Sequence, residues 1–259
     1  MKPARPPYIL FFPMKAFLYS SLLALSIFAI SCQPTDAEHP ALAQSNMQEK
    51  PVAVAAKTTT PDYRAGKRNA EEMVAAGFKR YGIEKGIFTF RLYGAVTGYE
   101  VLYFDNWGWR EGRYIRTTAD VGAYKEKTNK VQYLNGERRY EYDPETKIAH
   151  FFDSPQIQAS ADKYNTQDMT IVNDEMIKRM GGVAVGKDKV KGVECEVWRI
   201  ENIKTTLCMA YGITMREESF ASGIPVSRVA ISVKTDVEVP EDKMTVPDGA
   251  EEVDINARK

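Results

Sequence analysis

Alternation is the feature that most constrains this chain. Val229, Ile231, Val233, Val237 and Val239 fall on one side of an extended segment, with Arg228, Ser232, Lys234, Asp236 and Glu238 facing away. Successive strand residues point to opposite faces, so a stripe of period two marks an antiparallel strand with one face buried. The pattern recurs upstream. Phe88, Phe90 and Leu92 alternate with Thr89 and Arg91; a Thr97-Gly98 turn follows, and residues 99–106 continue. Residues 112–118 read as the next strand. Arg138, Tyr140 and Tyr142 then alternate with Arg139 and Glu141. Asp143-Pro144-Glu145-Thr146 is a turn with proline at its favoured second position, and residues 148–152 return.

Helical spacing occurs twice. Met73, Val74, Phe78 and Tyr81 predict a helix over residues 69–81. Val172, Met176, Ile177 and Met180 predict another over residues 167–180, stopped by Gly181-Gly182. The expected fold is mainly β (α+β), a curved antiparallel sheet of about ten strands with a few helices.

The amino-terminal region has a different character. Lys15, an apolar run over residues 16–30, then Ser31 and Cys32 form a secretory signal. The run of 15 residues is shorter than the roughly 17–25 that span a bilayer core, and Ser20, Ser21 and Ser26 weaken it further as a span. Ala29-Ile30-Ser31-Cys32 resembles the lipobox of bacterial lipoproteins, departing at Ala29, where Leu or Val is commoner. Cys32 is therefore the expected lipidation site. Pro3, Pro6 and Pro7 precede a second, broken apolar patch, which points to Met14 as the start of translation. Residues 1–31 are assigned to the signal peptide. Residues 32–61, rich in Ala, Pro, Gln and Thr, read as a flexible tether. Residues 62–259 are enough for one well-buried domain.

The signal carries three of the 35 basic residues and none of the 35 acidic ones, so the remainder is near −3. That balance lacks the basic stripe of a nucleic-acid partner. The expected location is the cell envelope, with a lipid-anchored domain in the periplasm or at the surface. Gln33, in place of the Asp that retains lipoproteins at the inner membrane, favours the outer membrane.

Several stretches resemble a group of uncharacterised Gram-negative envelope lipoproteins with the fold of outer-membrane lipoprotein carriers. One is the run over residues 98–114 (GYEVLYFDNWGWREGRY), which follows a Gly86-Ile87 strand start. Another is Cys195, Val197 and Trp198 in a Cys-x-Val-Trp pattern. A third is GITMREES over residues 212–219; the last joins Val239-Pro240 to MTVPDG over residues 244–249. Each is weakly specific alone, and their order carries the likeness. The resemblance implies an unclosed β-barrel with helices lidding its mouth, and members that carry lipid-modified proteins or sense envelope state through an apolar cavity. It implies a non-enzymatic, lipid-anchored periplasmic protein that binds an apolar or lipidic ligand. The alternative is an envelope scaffold or interaction module with a self-filled barrel. The carriers' functional residues match no position here.

Residues with chemistry are sparse. The two histidines are His39, in the tether, and His150, on a strand, so neither a His-based triad nor a metal cluster is expected. Gly181-Gly182 and Gly186 fit no phosphate-loop spacing, and no cofactor is expected. Asp105 with Glu111, and Glu217 with Glu218, are the available carboxylate pairs; they read as solvated strand charges, so no enzymatic role is expected. Met169, Met176 and Met180 are candidates for an adaptable ligand lid, against the plainer expectation that they fill a core. Trp107 and Trp109 flank Gly108 at a turn, either as surface aromatics for sugar or lipid or as packing at the barrel rim. Arg110, Arg113 and Arg116 read as a solvated face, diluted by Glu111 and Asp120. Cys195 and Cys208 lie on neighbouring strands. A two-residue Glu201-Asn202 turn sets them directly opposite and allows a disulfide; a four-residue turn shifts the register and leaves two buried thiols.

Overall fold

The computed structural model describes residues 68–122, 124–154, 156–220 and 223–257. These residues belong to one compact unit, Thr59–Lys259. The signal, Cys32, the tether and His39 lie outside the described residues.

Helix α1 (Ala70–Ala75) starts where Asn69 accepts from the Glu72 amide while the Glu72 carboxylate accepts from the Asn69 amide, a reciprocal capping box. It is shorter than the predicted helix. Gly77, at φ 84°, ends it, and Phe78 and Tyr81 are buried beyond its end. Six strands follow: β1 (Gly86–Gly94), β2 (Val96–Asp105), β3 (Arg110–Val121), β4 (Tyr124–Asn135), β5 (Arg138–Asp143) and β6 (Ile148–Asp153). Thr97 and Gly98 lie inside β2; the chain turns at Gly94 and Ala95 instead, where Gly94 takes φ 94°. The Asp143 turn is formed as the sequence indicates: its carbonyl accepts from the Lys147 amide and its carboxylate from the Glu145 amide.

Next come α2 (Gln156–Tyr164), which the periodicity did not reveal, and α3 (Met169–Arg179), capped by the Asp168 carboxylate on the Thr170 amide. Then run β7 (Gly182–Val190), β8 (Val193–Ile200), β9 (Thr205–Ala210), β10 (Ile213–Ser219) and β11 (Val226–Thr235), with a closing β12 (Glu251–Asp254). The twelve strands, two more than expected, form one sheet in the order β12-β6-β5-β4-β3-β2-β1-β11-β10-β9-β8-β7. Every neighbouring pair is antiparallel except β12 with β6. The sheet is curved and does not close into a barrel.

The cysteines depart from the register argument. Glu201–Ile203 form a 3-10 turn and Lys204 takes φ 48°, so Ile200 pairs with Thr205 and Val197 lies opposite Cys208. Cys195 is therefore diagonal to Cys208 on the same side of β8. The two are nonetheless joined, with Cα atoms 5.4 Å apart, inside the usual range of about 4.4–6.8 Å. A wider turn does not separate this pair, because a diagonal neighbour on one face is within reach.

Three clusters hold the described fold. Tyr81, Phe88, Phe90, Leu102, Phe104 and Met215 form the largest, together with the disulfide. A second joins Ala70, Met73, Phe78, Trp109, Leu134 and Met169 beneath the helices. The third lies on the opposite face of the sheet, where Val131, Tyr133, Tyr142 and Ala149 pack under Val246 and Ala250.

Candidate functional site

Strand β3 is buried on both faces, and the functional candidates lie on its two sides. On the helix-bearing face, register sets Phe104, Glu111, Leu134 and Arg139 in one row and Leu102, Arg113 and Gln132 in the next. The apolar rows of β1 and β2 therefore run into charge at β3. Phe88, Phe90, Leu102 and Phe104 are all 0 % exposed. Arg113, nearly as deep, donates to Glu100 at 2.5 Å and to Glu111 at 3.1 Å. Glu111 also accepts from Arg80 at 2.5 Å and from the Tyr81 hydroxyl at 2.6 Å. Glu100 accepts twice more from Arg228, at 2.7 and 3.1 Å. The Arg228 guanidinium lies 3.6 Å from the centre of the Phe90 ring.

A buried charge is tolerable only when paired and hydrogen-bonded. Burial opposes ionisation of Glu111, but Arg80, Arg113 and the Tyr81 hydrogen bond outweigh it and hold the carboxyl at about 2. Burial likewise opposes ionisation of Glu100, and Arg228 with Arg113 holds it below the ordinary carboxylate range. Burial pushes the Tyr81 hydroxyl up to about 12. The carboxylates of the network are thus ionised, each held by two arginines. A carboxylate held this low is a poor proton donor near neutral pH.

Other groups on this side are less well matched. Burial, with Arg80 adding to it, lowers Arg139 to about 10, and among the described residues it has no salt-bridge partner. Burial raises Glu217. His150 is half-buried, with Nδ1 enclosed and unbonded among the described residues.

The Trp-Gly-Trp turn is not a surface feature. Trp109 is 2 % exposed, and its ring nitrogen donates to the Phe78 carbonyl at 3.0 Å. Of its two readings, surface aromatic or packed ring, Trp109 takes the packed one: the indole belongs to the core beneath the helices. Asn106 and Trp107 take φ 50° and 57°, a rare conformation for a bulky side chain. The Trp107 carbonyl accepts from the amides of both Arg80 and Tyr81, and its amide donates to Glu84. Those bonds hold Trp107 half-buried, with the Lys79 ammonium 4.0 Å from its ring centre.

Arg113 is corrected, from a solvated charge to a buried one. Arg110 is half-buried and gripped by Asp105 through two nitrogens, while Arg116 is exposed. Asp105 and Glu111 therefore serve separate partners and do not form an acid/base pair. Met169 is buried, and Met176 packs half-buried against the same helix-covered cluster. Met180 is half-buried at the end of α3. Sequence reasoning missed Arg80 and Glu100, and it set Arg228 on the outward side of its strand, whereas Arg228 pairs with Leu92 and reaches Glu100 on the Phe90 side. The available signal was parity: Glu100 shares its side of β2 with Leu102 and Phe104, and Glu111 and Arg113 share theirs with Ile115.

On the opposite face, Tyr103, Tyr114, Tyr133 and Tyr142 form a chain of rings whose neighbouring centres are 5.6–6.4 Å apart. Residues 237–250 cross over them as a strap. Gly112 makes the close approach: a Cβ there would lie 1.7 Å from the Lys243 carbonyl oxygen. Between strap and sheet is a cavity of about 480 Å³, floored by Val131, Tyr133 and Tyr142 and bordered by Arg116, Asn129 and Asp248. A second cavity of about 350 Å³ lies by Tyr93, Lys204 and Phe220.

No family model matches this sequence, and no curated protein matches it. Among solved structures, an uncharacterised conserved protein from Thermus thermophilus is similar, at 9% identity and a TM-score of 0.42, over 71% of this chain and 98% of the other. LprF from Mycobacterium bovis is similar at 8% identity and a TM-score of 0.30, over 66% of this chain and 95% of LprF. Scores this low carry no functional argument, which rests on the chain's own geometry.

Proposed function

We propose that this protein is a lipid-anchored, non-enzymatic envelope scaffold or interaction module whose half-barrel is filled by its own side chains. One observation carries the proposal. The face that a carrier would keep open is closed by Phe88, Phe90, Leu102 and Phe104 and crossed by the Glu100–Arg113–Glu111 ion pairs. An acyl chain entering there would displace packed rings or lie against buried charge, and both are unfavourable.

The test uses the full chain with Cys32→Ser, which removes the acyl anchor. Native mass spectrometry with a fluorescent acyl probe should show ligand-free protein and no uptake, and crosslinking of the anchored form in cells should capture a protein partner. Stoichiometric probe uptake would overturn the proposal. It would establish instead a second reading, an apolar or lipidic ligand held within the half-barrel. That reading draws on Met169, Met176 and Met180 around α3, whose thioethers repack around varied apolar shapes. Membrane attachment is tested separately. Cys32→Ser should release the protein from the membrane fraction, and normal attachment of the variant would remove the lipid anchor.

A further inference from the structure

We propose that the strap-covered cavity on the tyrosine face is a binding site for an uncharged saccharide. The proposal is independent of the function assigned to the helix face. At about 480 Å³ the cavity falls within the roughly 300–1,000 Å³ of small-ligand sites. Its walls decide the chemistry. Tyr133 and Tyr142 are buried, and Tyr114 is half-buried beside them. Their rings offer apolar surface, and their hydroxyls make few bonds to the rest of the described protein. The Tyr114 and Tyr133 oxygens are 3.5 Å apart, beyond the roughly 2.5–3.0 Å of a good O–H···O bond. Among the described residues the Tyr142 hydroxyl has no hydrogen-bond partner. A phenolic hydroxyl both donates and accepts, so these groups match a ligand that does the same.

Three ligand classes fit less well. A simple acyl chain would fill the volume but bury hydroxyls without partners, which is costly. An anion would meet Arg116, but Lys130 is held by Glu141 at 3.1 Å and Lys243 by Asp242 at 2.7 Å, and Asp248 also lines the cavity. A cation would meet Arg116, which is bonded to none of the described carboxylates. A neutral sugar ring has an apolar C–H face for Val131 and the rings, and hydroxyls for the tyrosines and Asn129.

The test is saturation-transfer NMR on the full chain with Cys32→Ser, using maltotriose, cellotriose and triacetylchitotriose, with dodecanoate and phenyl phosphate as competing classes. At least one sugar should receive transfer at its ring protons. Thr245→Trp fills the cavity from the exposed strap, and Asn129→Trp fills it from the sheet. Each should weaken binding by at least about ten-fold, with folding checked by circular dichroism; either variant suffices if the other misfolds. Absence of transfer to all three sugars at millimolar concentration would overturn the proposal. So would sugar binding unaffected by the filling variants, or cavity-dependent binding of dodecanoate or phenyl phosphate alone.

Discussion

Four consecutive residues of β3 show two ways to bury a strand. Glu111 and Arg113 point into the helix-covered side, where charge is matched by charge. Gly112 and Tyr114 point the other way, where a missing side chain admits the strap and a ring joins a row of rings. The first face depends on specific partners. Removing one leaves its partners buried with fewer hydrogen bonds. The second depends on shape, and its polar atoms contribute little to folding. Stability should therefore respond to charge on one side of β3 and to volume on the other.

The largest effect should come from Arg113→Ala. It takes one charge-assisted hydrogen bond from Glu100 and one from Glu111, which keep Arg228 and Arg80, and at about 1.5–3 kcal/mol for each such bond the loss should be about 3–5 kcal/mol. Urea denaturation should show that loss. A change below about 1 kcal/mol would make the two faces energetically alike. Acid should act on the same face. Glu111 has a folded-state value of about 2, below its unfolded value of about 4.3. Its contribution is present above the unfolded value and is lost as pH falls through the folded one. Glu100 shifts in the same direction. Thermal stability should decline from about pH 4.5 toward pH 2 by on the order of 3 kcal/mol from Glu111 alone, and Glu111→Gln should flatten that part of the profile.

Gly112→Ala sharpens the comparison from the other side. The added methyl would overlap the Lys243 carbonyl, so strap or strand must move, at about 1–3 kcal/mol. Faster amide exchange confined to residues 237–250 would show that the strap gives way while the ion network stays intact. Exchange rising equally around Arg113 would show that the faces are coupled.

The difference between the faces explains what was legible in the sequence. The mainly β class and the strands of β1 and β5 followed from alternation; β11 was found too, but a bulge breaks its period, so that Arg228 and Ala230 share the Phe90 side while Val229 pairs with Arg91, and Val237 and Val239 lie beyond its end at Thr235. At β3 both sides are buried, so polarity no longer tracks solvent, and Arg113 read as exposed. The Trp107 turn was visible through Gly108, but the inward path of Trp109 depends on the distant Phe78 carbonyl. Helix α2 has a buried Ala161 and a part-buried Ile157 and Tyr164, too few apolar positions to set a helical period. The ion network brings Arg80 and Arg228 to Glu100, Glu111 and Arg113 across long sequence separations; parity hinted at Glu100, Glu111 and Arg113 and pointed the wrong way for Arg228. The tyrosine cavity needs the strap as its roof, and no spacing along the chain places residues 237–250 there.

The smallest predicted effect separates folding from binding on the tyrosine face. Burial pushes the Tyr133 hydroxyl well above the ordinary tyrosine value, so it stays protonated near neutral pH and adds no charge. Its contact with Tyr114 is long. Tyr133→Phe keeps the ring and its packing against Val131 and Tyr142. It should change stability by less than about 0.5 kcal/mol. Because the same hydroxyl faces the proposed saccharide, its removal should weaken sugar binding several-fold while the denaturation midpoint stays put. A large loss of stability with unchanged binding would reverse those roles, making the hydroxyl part of the fold and leaving shape alone an insufficient account of this face.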